Sequence, residues 1–292
     1  MPANKDELTN TNETIPIVNW KDFTLEDTWP DCIDLKSITG ILSIIRSVLG
    51  KRKPVTLPDS ILQSYSIPKY ALQEFHNLPN GNYSRHFSRG YITGFDHLML
   101  GHVDKARNWI AEKLKNCHAV VDVGTAGGKT AATVKSAGVK KVWGIDPSPY
   151  LLKHAAKDYP DIEFLQGIAE KLPFSKNSID GISVCFVFHE LPPKYLKQAL
   201  HKFHQCLAPG GLIAISEPSE QQLYPFKWRD FFKTSGWLKL YFRTLANFVY
   251  EPFLEAWHKI DKTTLASECG FKLKDQKLGM PINLFLLEKA RH

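Results

Sequence analysis

Between residues 118 and 217 the chain alternates short apolar runs with stretches of helical spacing, and that alternation leaves few folds open. HAVVDVG is followed by KTAATVKSAG, then KVWGID by PYLLKHAAKDY, then come IEFLQG, GISVCFVF, KYLKQALHKFHQCL and GLIAIS. A strand covered on both faces has no polar side to show, so its apolar residues run on instead of alternating. Such strands separated by helices indicate a parallel sheet with helices on both faces. After a gap the pattern resumes. TTLASECG reads as a helix stopped by Gly270, and FKLKDQKL and INLFLLEKA read as two closing strands.

The first strand runs into DVGTAGGKT, residues 122–130, which borders on three different nucleotide loops. A P-loop needs Gly-x-x-x-x-Gly-Lys-Thr so that enough backbone N–H groups curl around phosphate. Counting back from Gly128, that first glycine falls on Val123, and a loop one residue short cannot make the cradle. A dinucleotide loop needs Gly-x-Gly-x-x-Gly; here Ala126 and Lys129 occupy its second and third glycine positions. S-adenosylmethionine carries no pyrophosphate. It needs only a close-approaching turn and an acid at the end of the second strand for its ribose hydroxyls. The turn is Gly124-Thr125-Ala126-Gly127-Gly128, and the acid is Asp146, closing VWGID. A carboxylate accepts two hydrogen bonds from a vicinal diol.

With these residues in view, the stretch from about 118 to 217 resembles a class I SAM-dependent methyltransferase. Within that class it is most similar to the small-molecule branch that includes the ubiquinone/menaquinone-type C-methyltransferases. VVDVGTAGG, VWGIDPSPYLL, QGIAEKLPF, SIDGISVCFVFHEL and LAPGGLIAIS stand in the family's motif order at normal spacing. The resemblance covers about a third of the chain, and the closing hairpin agrees with it. Two positions depart: Ala126 replaces the usual middle glycine, and Ile168 replaces an acid that often binds the adenine amino group.

The resemblance implies a Rossmann-like α/β fold with a seven-stranded, mostly parallel sheet and an antiparallel last strand. It implies S-adenosylmethionine as cofactor. Asp122, Gly124, Thr125, Ala126 and Gly128 would shape the loop beside the methionine portion, and Asp146 would hold the ribose. Pro147, Ile168 and Ala169 would flank the adenine. Cys185 and Phe186, past the fourth strand, would floor the site near the methyl group. Upstream, an aromatic-Asp pair often closes over the cofactor; Phe95-Asp96 matches it, and Tyr91 could reach in the same way. His189-Glu190 lies at the carboxyl end of the fourth strand, where open α/β sheets bind ligands. A neutral histidine there suits proton abstraction, so His189 and Glu190 are the catalytic candidates. Methyl transfer also gains much from positioning alone, so a dedicated base is not obligatory.

The expected layout is an N-terminal extension with helical cap elements over 1–95, a SAM-binding core over 96–219, a helical cap insertion over 220–262, and a closing helix with two strands over 263–292. The insertion interleaves basic residues with Tyr224, Phe226, Trp228, Phe231, Phe232, Trp237, Tyr241, Phe242, Phe248, Tyr250, Phe253 and Trp257. Such density suits either a small core or a lid over an apolar pocket. Residues 35–49 place Ile38, Ile41, Leu42, Ile45, Val48 and Leu49 on one helical face, with Gly50 as a stop. That face could pack on the core, or lie on a membrane with Lys51-Arg52-Lys53 beside it. Residues 1–14 are polar and expected to be loose.

The net charge is +7 over 292 residues, without the dense basic runs of a nucleic-acid binder. The five cysteines, Cys32, Cys117, Cys185, Cys206 and Cys269, form no CxxC pair and no metal-like spacing. No metal is expected, and a reducing, cytoplasmic compartment fits, with contact at a membrane surface as a variant. No Asn-Pro-Pro-Tyr motif for amine substrates follows the fourth strand; His189-Glu190-Leu191-Pro192-Pro193 stands there. A small, apolar or aromatic acceptor is therefore expected. The alternatives are a methyltransferase acting on RNA or protein and a non-catalytic SAM-binding scaffold.

Overall fold

A computed structural model describes residues 18–290 except 60, 62–65, 226, 228, 230–231 and 233–235. The N-terminal segment expected to be loose and the aromatics Phe226, Trp228 and Phe231 lie outside the described residues. At the centre is a seven-stranded sheet in the order β3-β2-β1-β4-β5-β7-β6. Its strands are β1 (Ala119–Val123), β2 (Lys141–Asp146), β3 (Glu163–Gln166), β4 (Ile179–Cys185), β5 (Leu207–Pro218), β6 (Phe271–Lys277) and β7 (Ile282–Lys289). The first five pair in parallel, and β7 runs antiparallel between β5 and β6. The fold is Rossmann-like, as expected.

Each residue of β1 is buried, and its side chains alternate between two cores. Ala119, Val121 and Val123 face one layer with Leu196, Leu200 and Phe203; Val120 faces the other with Ile110, Leu114, Val134 and Leu152. Period-two alternation thus survives, but both faces are apolar, so the strand reads as continuous. The covering helices are α3 (His102–Leu114), α4 (Lys129–Ser136) and α5 (Pro149–Asp158) on one face, with α6 (Pro193–Cys206) and α9 (Lys262–Glu268) on the other.

Two further pieces lie at the carboxyl ends of the strands. The helix α2 (Arg85–Leu98) starts at Ser84, whose hydroxyl accepts the N–H of Phe87 at 3.1 Å. Buried Asp31 reaches the same turn, accepting Ser84 Oγ at 2.7 Å and the N–H groups of Arg85 and His86. A carboxylate at a helix N-terminus satisfies orphan donors and opposes the helix dipole. From the 220–262 stretch come α7 (Gly236–Phe248) and α8 (Leu254–Lys259). Its aromatics divide: Phe242 and Trp257 are buried, whereas Tyr224, Phe232, Trp237 and Phe248 are exposed.

Helix α1 (Ile38–Leu49) forms where its periodicity places it, capped by Ser37 through the N–H of Gly40. Packing on the core is not what its apolar face does. Ile38 is 77% exposed and Leu49 68%, with Ile41, Leu42 and Ile45 also exposed. Gly40 is its one buried residue, lying against the backbone of Asp34 and the hydroxyl of Ser37 just before the helix.

Candidate functional site

The loop after β1 is shaped by steric exclusion. Gly124 adopts φ +66°, and a Cβ there would stand 2.3 Å from Cγ2 of Val187. Only glycine fits both conditions. Beneath the turn, Asp122 is fully buried and accepts Thr125 Oγ1 at 2.7 Å, Ser183 Oγ at 2.7 Å and the N–H of Ala131 at 3.1 Å. Burial pushes its carboxyl up to about 6, against which those hydrogen bonds pull. Ala126 has φ +47°, a left-handed conformation costly for a side chain with a Cβ. What the strain secures is visible: the N–H of Ala126 donates to Asp146 Oδ2 at 2.9 Å, and the N–H of Ser148 donates to Oδ1 at 2.9 Å. Each oxygen keeps a lone pair for a further donor. Burial raises Asp146 to about 7.

A cavity of about 130 Å³ opens over this loop. Tyr91, Gly124, Thr125, Ala126, Asp146, Pro147, Ile168, Ala169, Cys185, Phe186 and Glu190 line it. Three expected site residues do not. Asp122 lies below the turn, as its hydrogen bonds require. Gly128 packs under α4, where a Cβ would meet Phe164 at 2.9 Å and Tyr159 at 3.0 Å, so its missing side chain serves helix–strand packing; its neighbour Gly127 faces the cavity instead. His189 is enclosed on all sides.

Lys129, the residue that makes the loop end like a phosphate grip, is already engaged. Its ammonium pairs with Asp96 and donates to the carbonyl of Ile92. Asp96 also pairs with Arg107 at 2.8 Å. The aromatic-Asp pair therefore divides its work: Phe95 faces the cavity while Asp96 ties α2 to α3 and the loop. Tyr70, Asn82, Tyr83 and Arg107 also line the cavity. Tyr70, Asn82 and Tyr83 come from the N-terminal segments and Arg107 from α3, and nothing in their sequence spacing marks them.

A family described as a methyltransferase domain matches residues 120–211. The demethylmenaquinone methyltransferase of Chlorobaculum tepidum is 41% identical over 99 residues, 34% of this chain and 40% of its own. The chain carries a class I methyltransferase domain. S-adenosylmethionine is the donor that domains of this class use. The demethylmenaquinone methyltransferase of Renibacterium salmoninarum is 32% identical over 134 residues, 45% of this chain and 55% of its own. The chain thus spans about half or less of the curated relatives it matches. A solved S-adenosylmethionine-dependent methyltransferase from Mesorhizobium loti is 18% identical, with a TM-score of 0.47 over 64% of this chain and 100% of its own. The strand order, not that superposition, defines the fold.

Beside the cavity over the β1 loop lies a second one of about 330 Å³. Tyr91, Phe95 and Phe186 line both. The remaining walls are mainly apolar, from Phe87, Leu98 and Met99 on α2 and its end, and from Leu245, Phe248 and Leu254 on the 220–262 stretch. Phe186 adopts φ +61° immediately after β4 and stacks edge-on against Phe95 at 5.4 Å and His189 at 5.9 Å. A strained residue at the junction of two cavities marks a place where geometry is imposed.

Glu217, near the end of β5, imposes it. Its buried carboxylate accepts the N–H groups of Val187 at 3.0 Å, Phe188 at 2.8 Å and His189 at 3.3 Å, and Nδ1 of His189 at 2.6 Å. This turns His189 inward, so the expected base does not face either cavity. Burial alone would lower the His189 pKa, but Glu217 and Glu251 outweigh it and hold the ring well above the usual histidine range. Glu190 faces the cavity over the β1 loop, with burial raising its carboxyl and the nearby histidines opposing.

Proposed function

We propose that the protein transfers the methyl group of S-adenosylmethionine to a small apolar or aromatic acceptor. One observation carries this reading: the donor cavity adjoins a larger apolar cavity, and Tyr91, Phe95 and Phe186 are common to both. Asp146 would receive the ribose diol, Pro147, Ile168 and Ala169 the adenine, and the loop from Gly124 to Gly127 the methionine portion. The sulfonium would then point toward the shared aromatics. Removing apolar surface of the acceptor from water favours binding by roughly 25 cal/mol per Å². It also strips water from the displacement, in which the acceptor atom forms a bond to the methyl carbon as the sulfur–carbon bond breaks. The demethylmenaquinone methyltransferases named above agree with an acceptor of this kind. Incubation with S-adenosylmethionine and matched panels of quinols, apolar phenols and small amines, read by S-adenosylhomocysteine release and product mass, tests the reading. Turnover is expected with the first two panels. Turnover with polar cations alone would contradict it.

The exposed stripe of α1 supports a second element of the proposal, contact with an anionic lipid surface that delivers such an acceptor. Ile38, Ile41, Leu42, Ile45 and Leu49 form one apolar row, and exposed Lys36, Arg46 and Lys51 flank it. No described helix is long and apolar enough to cross a membrane, so the contact would be interfacial. Replacing Ile38 and Leu49 by serine is expected to reduce sedimentation with anionic vesicles at least several-fold while leaving S-adenosylmethionine affinity unchanged. Equal sedimentation of wild type and variant would sink the idea.

A further inference from the structure

Three side chains from separate parts of the chain bring potential ligand atoms together beside the apolar cavity. His76 sits in the single turn Phe75–Asn77, His189 just beyond β4, and Glu251 between α7 and α8. Oε1 of Glu251 lies 3.5 Å from Nε2 of His76 and 3.5 Å from Nε2 of His189. All three ligand atoms fall within 4.8 Å of one another. His189 is completely buried, yet its Nε2 has no hydrogen-bond partner among the described residues.

The spacing is informative. A charge-assisted hydrogen bond would close to about 2.7–2.9 Å, and neither contact does. Nitrogen and oxygen ligands at about 2.0–2.2 Å from one tetrahedral ion stand about 3.3–3.6 Å apart. The observed separations to Glu251 match the second distance. Orientation agrees as well. Glu217 accepts Nδ1–H of His189 at 2.6 Å, so Nε2 is the ring atom that faces Glu251, and an ion would bind there in place of the Nε2 proton. A carboxylate behind a histidine is the usual support of a metal ligand. His76 is held just as firmly: its backbone takes φ +56°, its N–H donates to the carbonyl of Tyr250 at 3.1 Å, and its ring stacks on Tyr91 at 5.2 Å.

We propose that His76, His189 and Glu251 bind one divalent transition-metal ion, which leaves a fourth position open. Glu190, with Oε1 3.5 Å from Nε2 of His76, stands beside the group without belonging to it. Two imidazoles with one carboxylate favour zinc-like or ferrous-like ions over magnesium and calcium, which prefer oxygen ligands. A +2 ion also compensates a buried group in which carboxylates outnumber histidines. His76 and Glu251 line the apolar cavity and Glu190 the donor cavity. An acceptor oxygen at that boundary would lie beside the ion; this last point rests on the proposed methyl transfer, while the ion site does not.

The full chain is stripped with chelator and titrated with Zn²⁺, Co²⁺ and Mg²⁺ by calorimetry, with Co²⁺ binding followed by visible absorption. One Zn²⁺ or Co²⁺ per chain is expected, with the strong visible bands of a four-coordinate cobalt ion. His76→Gln and Glu251→Gln are expected to weaken Zn²⁺ binding at least 100-fold. Glu217→Gln is expected to weaken it about 10–100-fold through the supporting hydrogen bond. Affinity for S-adenosylmethionine without metal is measured on every variant, which reports folding and tests the donor cavity separately. Should the variants not fold, stoichiometry and the cobalt spectrum of the wild type decide alone. Absent stoichiometric binding, a hexa-aqua-like cobalt spectrum, preference for Mg²⁺, or equal Zn²⁺ affinity in both ligand variants would overturn the site.

Discussion

Asp146→Ala is expected to weaken S-adenosylmethionine binding by about 1.5–3 kcal/mol, the range for hydrogen bonds to a charged group. The carboxylate is pre-oriented by the N–H groups of Ala126 and Ser148 and is 5% exposed, so water cannot replace it cheaply. Burial sets its pKa at about 7 in the free protein. Two hydrogen bonds from a ribose diol favour the ionised form, so affinity should climb from pH 5 and level off above pH 7. Below the pKa the climb is at most about tenfold per unit. Calorimetry of wild type and Asp146→Asn across that range checks both statements, because the Asn variant should lose this part of the climb. Stability of the free protein should move the other way. Asp122 at about 6 and Asp146 at about 7 retain protons that the unfolded chain releases near pH 4. Their contribution is fully present below about pH 4 and is lost as pH rises through about 6 and 7. Unchanged affinity in Asp146→Ala would show that the ribose lies elsewhere.

Glu217→Ala is the second large effect, and it falls on stability. Three backbone N–H groups and a histidine ring lose one common acceptor in a fully buried place. Removing one partner of a buried charged pair costs about 3–5 kcal/mol. Urea unfolding should show that loss as a lower midpoint at constant slope. Glu217→Gln should cost less than half as much, because its amide oxygen can still accept from Val187 and Phe188 while its NH₂ donates to Nδ1 of His189. A loss below 1 kcal/mol in Glu217→Ala would mean that the turn after β4 holds itself.

The sheet was legible because both its faces are apolar. β1, β2 and β4 read as unbroken apolar runs, and each runs to a loop whose residues are in sequence reach of one another. Asp146 stood out for the same reason, since a lone acid closing an apolar strand has few structural uses, and it lines the cavity over the loop. Gly124, Gly127 and Gly128 could not be told apart in sequence, since their difference is what each touches: Val187, Ile92, or Phe164 and Tyr159. His189 was noticed but misplaced, because the acceptor that turns it inward, Glu217, lies on another strand. His76 and Glu251 gave no signal at all; neither belongs to a periodic segment, and only the third dimension sets them beside His189. The exposed face of α1 was undecidable, because a helix packed on a core and a helix lying on a surface share one pattern.

A crystal structure with S-adenosylhomocysteine bound, soaked or co-crystallised with an apolar phenol, bears most directly on the donor and acceptor cavities. The ribose hydroxyls should contact Asp146 and the adenine should lie between Pro147 and Ile168. The thioether sulfur should face Tyr91, Phe95 and Phe186, with the phenol beyond them in the 330 Å³ cavity. A nucleoside lying in that apolar cavity, or a sulfur pointing away from the three aromatics, would contradict methyl transfer across this boundary.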